Sequence, residues 1–380
     1  MMIPQVAARL VDRLSRPGDL VLDPFCGSGS VLVEAIAAGR RAIGIDLNPL
    51  ATLIARAKTT PVAPAALRAA LDAIAAALPS LLADPPPAPP VPRIDFWFKP
   101  AVIPALAALR AAILATAEPA RTALLATFSE VVRLASNTRA SEFKLYRYSP
   151  AQLARHHPDP IALFRERAAR NAELLATFSP TADAEVRLAD SRLPLLGLRP
   201  ASIDAVITSP PYGDSRTTVA YGQYSRLSAQ WLGLAGGRDL DPTLLGGAPA
   251  TKPPPPSPHL DATIAAIARH DPRRAQEVAA FYVDMAACLA QIARLLRPSG
   301  AAALVVGNRR VKNIQIPTDL ILAELAIPLG LLPREVIVRR IPTKRLPSRN
   351  SPSNVPGAVG ETMSHEYILL LERCAPSRDA

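Results

Sequence analysis

The chain's 380 residues suffice for one large domain carrying an insertion, or for two domains, and a 49% hydrophobic but only 4% aromatic composition requires an aliphatic core. A net charge of +11 suits a polyanionic partner such as nucleic acid. The three cysteines, Cys26, Cys288 and Cys374, form no Cys-x-x-Cys pair, which argues against a structural zinc site and against a disulfide scaffold. With no uninterrupted apolar run of about 18 residues and no signal-peptide pattern, a cytoplasmic protein with no membrane partner is expected.

The first sixty residues read as helix, strand, helix, strand. "IPQVAARLVDRL" (Ile3 to Leu14) has helical spacing and is broken by "RPGD". "LVLD" (Leu20 to Asp23) is a short apolar run ending on an acid. The Gly-rich turn "DPFCGSGS" follows, then the helical "VLVEAIAAG" closed by Gly39. "RAIGID" (Arg41 to Asp46) is a second strand, again ending on an acid. This βαβ unit predicts parallel strands.

From about Thr60 the texture changes to Ala-rich helix, a stiff "DPPPAPPVPR" spacer, further helical segments and the polar stretch "SNTRASEFKLYRYSP" (Ser136 to Pro150). Residues 61–185 read as a mostly helical insertion between two halves of a core, 1–60 and 186–380. The α/β pattern resumes with "AEVRLADSR" and "IDAVITSPPY". A Pro-rich loop at Lys252 to Pro258 follows, then a helix near Arg274 to Leu296 with Phe281, Met285, Cys288, Leu289, Ile292 and Leu296 on one face. Three strand-like runs close the chain, "GAAALVVGN", "REVIVRRI" and "HEYILLLER". The sum is about seven strands with helices between them, an α/β doubly wound, mostly parallel sheet of Rossmann-like class.

In such sheets ligands bind beyond the carboxyl ends of the strands. The ends predicted here are chemically loaded: Asp23 before Gly27 and Gly29, Asp46, Asp190, and Thr208-Ser209-Pro210-Pro211-Tyr212. Gly27 and Gly29 let backbone approach a ligand, and Asp46 stands where a carboxylate takes ribose hydroxyls.

Together "DPFCGSG" and "TSPPY" resemble the S-adenosyl-L-methionine (AdoMet) loop and the catalytic loop of DNA amino-methyltransferases, which methylate N4 of cytosine or N6 of adenine. The resemblance is strong over 3–50, 203–235 and the strands of 300–373, and weak over 61–185. It implies AdoMet as cofactor and double-stranded DNA as partner, with a cognate restriction endonuclease as a further possible partner. It also implies that Asp23, Pro24, Phe25, Gly27 and Gly29 line the methionine part of AdoMet, that Asp46 takes the ribose, and that Asp190 contacts the adenine amine. Cys26 in this loop is expected only to pack.

"TSPPY" resembles the N4-cytosine group; the adenine group more often has Asp or Asn at the position of Ser209. An exocyclic amine is a poor nucleophile because its lone pair is delocalised into the ring. Acceptors on its N–H groups, here Ser209 Oγ and a carbonyl near Pro210, draw the nitrogen toward tetrahedral geometry. Pro210 and Pro211 stiffen the loop, and Tyr212 offers a face to a flipped base. Methyl transfer is then direct and in line, with no cysteine nucleophile.

Basic and aromatic residues interleave in three segments expected to meet DNA: Arg216, Tyr221 and Arg226; Arg139, Lys144 and Arg147; Lys344 and Arg345. The AdoMet loop precedes the catalytic loop, the reverse of the order in many enzymes with a preceding helix. The 61–185 insertion is therefore a candidate for target recognition. Three alternatives stay open: an adenine-N6 enzyme, an RNA (tRNA) guanine-N2 methyltransferase, and a non-catalytic nucleic-acid-binding module.

Overall fold

The computed structural model describes residues 2–139, 144–195, 197–213, 221–236, 240–341, 349–350, 360–361 and 363–375. In the first half of the core, α1 (Pro4–Leu14) is followed by β1 (Leu20–Asp23), α2 (Ser30–Ala37), β2 (Arg41–Asp46) and α3 (Pro49–Thr59). Six helices come next: α4 (Pro64–Ala83), α5 (Ile94–Trp97), α6 (Val102–Leu114), α7 (Ala120–Ala135), α8 (Pro150–Arg155) and α9 (Pro160–Thr177). The second half runs β3 (Ala184–Leu188), β4 (Ile203–Thr208), α10 (Tyr221–Leu232), α11 (Pro258–Ala268) and α12 (Pro272–Leu295). It ends with β5 (Leu296–Val306), α13 (Thr318–Ala326), β6 (Leu331–Arg340) and β7 (His365–Arg373).

Several helix starts follow directly from the sequence. Proline opens α3, α8, α9, α11 and α12, where its missing N–H costs nothing. The residue before it caps the first turn in each case: Asn48 accepts from Leu50 N, Ser149 from Gln152 N, Asp159 from Ile161 N, Ser257 from Leu260 N and Asp271 from Arg274 N. The Ser257 cap explains why the Pro-rich stretch at Lys252 to Pro258 leads straight into α11, a helix the sequence analysis does not predict.

The seven strands form one sheet in the order β3-β2-β1-β4-β5-β7-β6. Parallel pairing runs from β3 to β5, with Val21 opposite Ala42 on one side and Ala205 on the other. Strand β7 is antiparallel to both its neighbours. This is the doubly wound, mostly parallel sheet expected. Its strand order reverses between β1 and β4, and a ligand crevice opens at such a switch point.

One face of the sheet is covered by α11, α12 and α13, and every residue of the predicted α12 face, from Phe281 to Leu296, is buried there. The other face packs on α1 and α2 through Leu10, Val11, Leu32 and Ile36. Helices α4 to α9 build a separate apolar core around Leu106, Leu109, Ile113, Leu124, Phe128, Val131 and Phe164. Helix α10 lends Leu227 and Trp231 to that core, although it follows the catalytic loop in sequence. Trp231 is fully buried, edge-on to Phe98 at 5.6 Å and to Phe128 at 6.4 Å between ring centres. Helix α7 in turn packs against both α3 and α10. Strand β3 opens at Ala184, so the last residues of the 61–185 span already belong to the sheet.

Among the described residues, α4 and α12 are long and apolar enough to cross a membrane by length and composition. Helix α12 spends that apolarity on the core beneath the sheet. Helix α4 packs on α6, α7 and α9.

Candidate active site

The site assembles at the carboxyl ends of β1, β2 and β4. Asp23 ends β1 and is 3% exposed. Its Oδ1 accepts from Phe25 N at 3.1 Å, which closes the turn, and from Thr208 Oγ1 at 2.6 Å, which ties it to the end of β4. Burial pushes the Asp23 carboxyl up to about 7; the Thr208 and Phe25 hydrogen bonds oppose the shift and the charge of Asp46 adds to it. The cofactor-type loop and the Ser-Pro-Pro loop are therefore joined by one buried carboxyl.

Asp46 ends β2 and holds the same loop from the other side. Its Oδ2 accepts from Gly27 N at 2.9 Å and its Oδ1 from Asn48 N at 2.8 Å. Burial raises its pKa against these backbone donors. Cys26 N donates to Ile45 O at 2.9 Å, and Ser191 Oγ donates to Pro24 O at 2.6 Å, so β2 and the segment after β3 both brace the turn. Gly27 and Gly29 adopt positive φ, +51° and +80°. At Gly29 a Cβ would press on Ala55 of α3, so this glycine serves the packing of loop on helix. At Gly27 a Cβ would meet nothing within 4 Å: the loop leaves open space on the side where a ligand would lie. Cys26 is buried with its sulfur against Gly44, and burial drives its thiol pKa up; it packs, as expected.

Beyond β4, Ser209 is half-buried, Pro210 buried, and Pro211 and Tyr212 half-buried. The Tyr212 hydroxyl donates to Glu366 Oε1 of β7 at 2.9 Å. Glu366 in turn accepts from Arg339 of β6, whose Nε lies 3.1 Å from Oε2. Burial raises the Tyr212 pKa, and the Glu366 charge adds to the shift. Gly307, just past β5, makes room for the ring: a Cβ there would collide with Met363 and press on Tyr212.

Other expected site residues fare unevenly. Asp190 receives a bidentate pair from Arg192, Nε to Oδ1 at 2.9 Å and Nη2 to Oδ2 at 2.7 Å, and Arg192 also reaches Asp284. Tyr221, expected at DNA, starts α10 and lies near enough to Asp46 for that charge to raise its pKa further above the rise that burial causes. Arg226 is turned inward to Asp241 at 3.4 Å. Arg139, Lys144 and Arg147 lie in two segments that pair, Arg139 N bonding Tyr146 O and Thr138 forming an antiparallel bridge with Arg147. Arg147 lies over Phe96 at 4.3 Å and donates to its carbonyl, with Arg93 also over that ring at 4.2 Å. Arg216, Lys344 and Arg345 lie outside the described residues. Glu366 escaped the sequence reading, and Thr208, named there as part of the strand end, had no role assigned to it. Thr208 has a signal in its neighbour Ser209; Glu366 has none, because only strand pairing brings it to Tyr212.

Comparison with known proteins bears on this geometry. A model of the DNA methylase family matches residues 4–56. The type II methyltransferase M.MvaI of Kocuria varians is 37% identical over 362 residues, spanning 86% of this chain and 78% of that protein. The chain belongs to the DNA amino-methyltransferase family. Shorter likenesses link it to other amino-methyltransferases. The DNA adenine methyltransferase YhdJ of Escherichia coli is 52% identical over 40 residues, 10% of this chain and 14% of that protein. The tRNA (guanine(10)-N2)-dimethyltransferase of Methanocaldococcus jannaschii is 44% identical over 48 residues, 12% of this chain and 14% of that protein. Among solved structures, a TehB-like SAM-dependent methyltransferase from Corynebacterium glutamicum aligns over 97% of this chain and 87% of its own at 12% identity; its TM-score of 0.32 carries no argument.

AdoMet is the cofactor of this family member, and the loop fits it. The open side of Gly27, with the carboxyls of Asp23 and Asp46 at the ends of β1 and β2 beside it, suits a ligand that carries an ammonium group and hydroxyls.

Proposed function

We propose that the protein transfers a methyl group from AdoMet to the exocyclic N4 amine of cytosine in duplex DNA, with the base flipped from the stack. The observation that carries this reading is the Ser209-Pro210-Pro211-Tyr212 loop at the end of β4, anchored to the AdoMet loop through Thr208 and Asp23. Asp23, Pro24, Phe25, Gly27 and Gly29 hold the methionine part of the cofactor, and Asp46 the ribose. Tyr221, close to Asp46, joins them. Asp190, whose two oxygens accept from the Arg192 guanidinium and from Arg192 N, is the contact for the adenine amine in this reading and would exchange one of those donors for it.

Bound AdoMet supplies a methyl group on sulfonium, ready for direct displacement. The chain's own task is the amine. Ser209 Oγ and a carbonyl near Pro210 accept its N–H groups and stabilise the positive charge that grows on nitrogen. The two prolines hold those acceptors with little reorganisation. A purely binding module has no need of two acidic strand ends and an acceptor loop converging at one crevice.

Helices α4 to α9, with the paired segments carrying Arg139, Lys144 and Arg147, form the target-recognition element in this reading, and a restriction endonuclease of the same specificity is the natural biological partner. Methyl transfer from labelled AdoMet to unmethylated duplex DNA, followed by mass spectrometry of the digested nucleosides, tests the assignment. N4-methylcytosine is the expected product. N6-methyladenine would overturn the base assignment and keep the mechanism; methylation of tRNA alone would overturn the DNA substrate.

A further inference from the structure

The stiff proline run after α4 ends on Arg93, just ahead of α5. Arg93 has φ +55°, in the left-handed region that residues with a Cβ seldom adopt. With that turn its guanidinium lies over the Phe96 ring, 4.2 Å from the ring centre. Arg147, from the segment that pairs with Thr138, covers the same ring at 4.3 Å. Its Nε also donates to Phe96 O at 3.0 Å. The platform beneath the two cations is well anchored. Val91 and Phe98, on either side of Phe96 in sequence, are buried in the core of the bundle. Asn137 Nδ2 donates to Phe96 O at 3.2 Å and Asn137 N to Trp97 O at 2.7 Å, which fastens α5 to the end of α7.

Both arginines are exposed, and among the described residues neither has a carboxylate within ion-pair distance. Two like charges over one ring repel. The ring offsets part of that, by about 0.5–1 kcal/mol for each cation at an exposed site. An anion that reaches both relieves the rest, and the planar guanidinium fork matches the oxygens of a phosphate. The described parts of these segments add Lys99, Arg139 and Lys144, with one acid, Asp95. Helix α10 sets the distance to the chemistry. Its Tyr224 and Ser228 share a groove with Leu50 and Ile54 of α3, the helix that follows Asp46. Its last turn seats Trp231 edge-on to Phe98, two residues beyond Phe96. At 1.5 Å per residue the helix from Tyr221 to Trp231 spans about 15 Å, roughly four base-pair steps of about 3.4 Å. One duplex can therefore lie against the crevice and the platform together.

We propose that Arg93 and Arg147, stacked on Phe96, form a clamp for a backbone phosphate of the duplex whose base enters the crevice. This rests on the reading of DNA as the substrate. It extends the DNA surface to the end of the proline run, and it gives the pair the task of holding the duplex without reading its bases.

The test compares the full-length protein with Arg93→Gln, Arg147→Gln and the double variant on short unmethylated duplexes of unrelated sequence. Affinity is measured between about 50 and 200 mM salt. The double variant should bind every duplex about 10-fold more weakly at the low-salt end. The slope of log affinity against log salt should become shallower by about one, the loss of one phosphate contact. Arg93→Lys keeps the charge and loses the planar stack, so it should retain the slope. Tm and AdoMet affinity by calorimetry identify a variant that fails to fold, and the single variants then carry the comparison. Unchanged affinity and slope in the double variant would overturn the clamp and leave the DNA reading standing. A loss confined to one duplex sequence would make the pair a base reader, which also overturns it. A fall in Tm with DNA binding unchanged would reduce the stack to packing. Binding of tRNA but of no duplex by the unaltered protein would overturn the DNA reading itself, and the clamp with it.

Discussion

The sheet's carboxyl edge and the helical bundle between β2 and β3 are built on opposite principles. At the edge, three carboxyl groups do the organising: Asp23, Asp46 and Glu366 each gather donors from separate segments, so loops distant in sequence are fixed to one another. In the bundle the organising groups are apolar, and Trp231 reaches in from beyond the catalytic loop to complete the core. The contrast teaches where changes will register. Polar changes at the edge should alter chemistry with modest loss of stability. Apolar changes in the bundle should alter stability first, and activity only through the docking of α10.

The largest expected effect tests the bundle side. Trp231→Ala empties the volume between Phe98 and Phe128 and should cost about 3–5 kcal/mol, read as a lower denaturation midpoint. If stability barely moves, α10 is not the bolt between the two regions. Ser209→Ala comes next: it should lower kcat roughly 100- to 1000-fold while AdoMet affinity by calorimetry stays as it was. Asp46→Ala should do the reverse. Loss of a charged acceptor is worth about 1.5–3 kcal/mol, or a Kd raised some 10- to 100-fold, with kcat at saturating AdoMet largely kept. Equal effects on both parameters from both changes would erase the division of labour within the edge.

Asp23 makes the edge sensitive to pH. Its carboxyl is raised from 3.8 to about 7 in the folded protein. Between these values the folded chain holds a proton that the unfolded chain has released, so stability falls as pH rises through that window, by at most about 1.4 kcal/mol per unit. Asp23→Asn should flatten this slope in Tm measured from pH 4 to 8. A cationic ligand favours the ionised carboxyl, so AdoMet affinity should climb from pH 6 to 8, and the same substitution should abolish the climb. The smallest effect belongs to the bundle surface. Arg147→Ala, lost from its place over Phe96, should weaken DNA binding a few-fold in low salt and leave kcat intact. An unchanged salt dependence would remove that loop from the DNA path.

Much of this was legible before any coordinates. Apolar runs, strand-end acids and the Gly-rich turn marked the sheet and the Gly-rich loop, since these features encode local geometry: positive φ at Gly27 and Gly29, a parallel crossover, an acid closing β1 and β2. The predicted buried face of α12 holds residue for residue, because a 3.6-residue period cannot be hidden by its neighbours. Helices α10, α11 and α13 were harder. Helix α10 carries a mixed aromatic and basic sequence that reads as a binding surface until Trp231 is seen inside the bundle and Arg226 against Asp241.

Motif spelling thus sufficed for the fold class and for placing the Gly-rich loop and the Ser-Pro-Pro loop at strand ends, since both loops are made within short stretches of chain. The links between them depended on tertiary structure. Thr208 on Asp23, Tyr221 near Asp46, and Arg339 and Glu366 behind Tyr212 join residues up to 185 positions apart. Those partners are chosen by strand order and register, which no local pattern records, and a carboxyl's role is set by whichever donors the sheet brings to it.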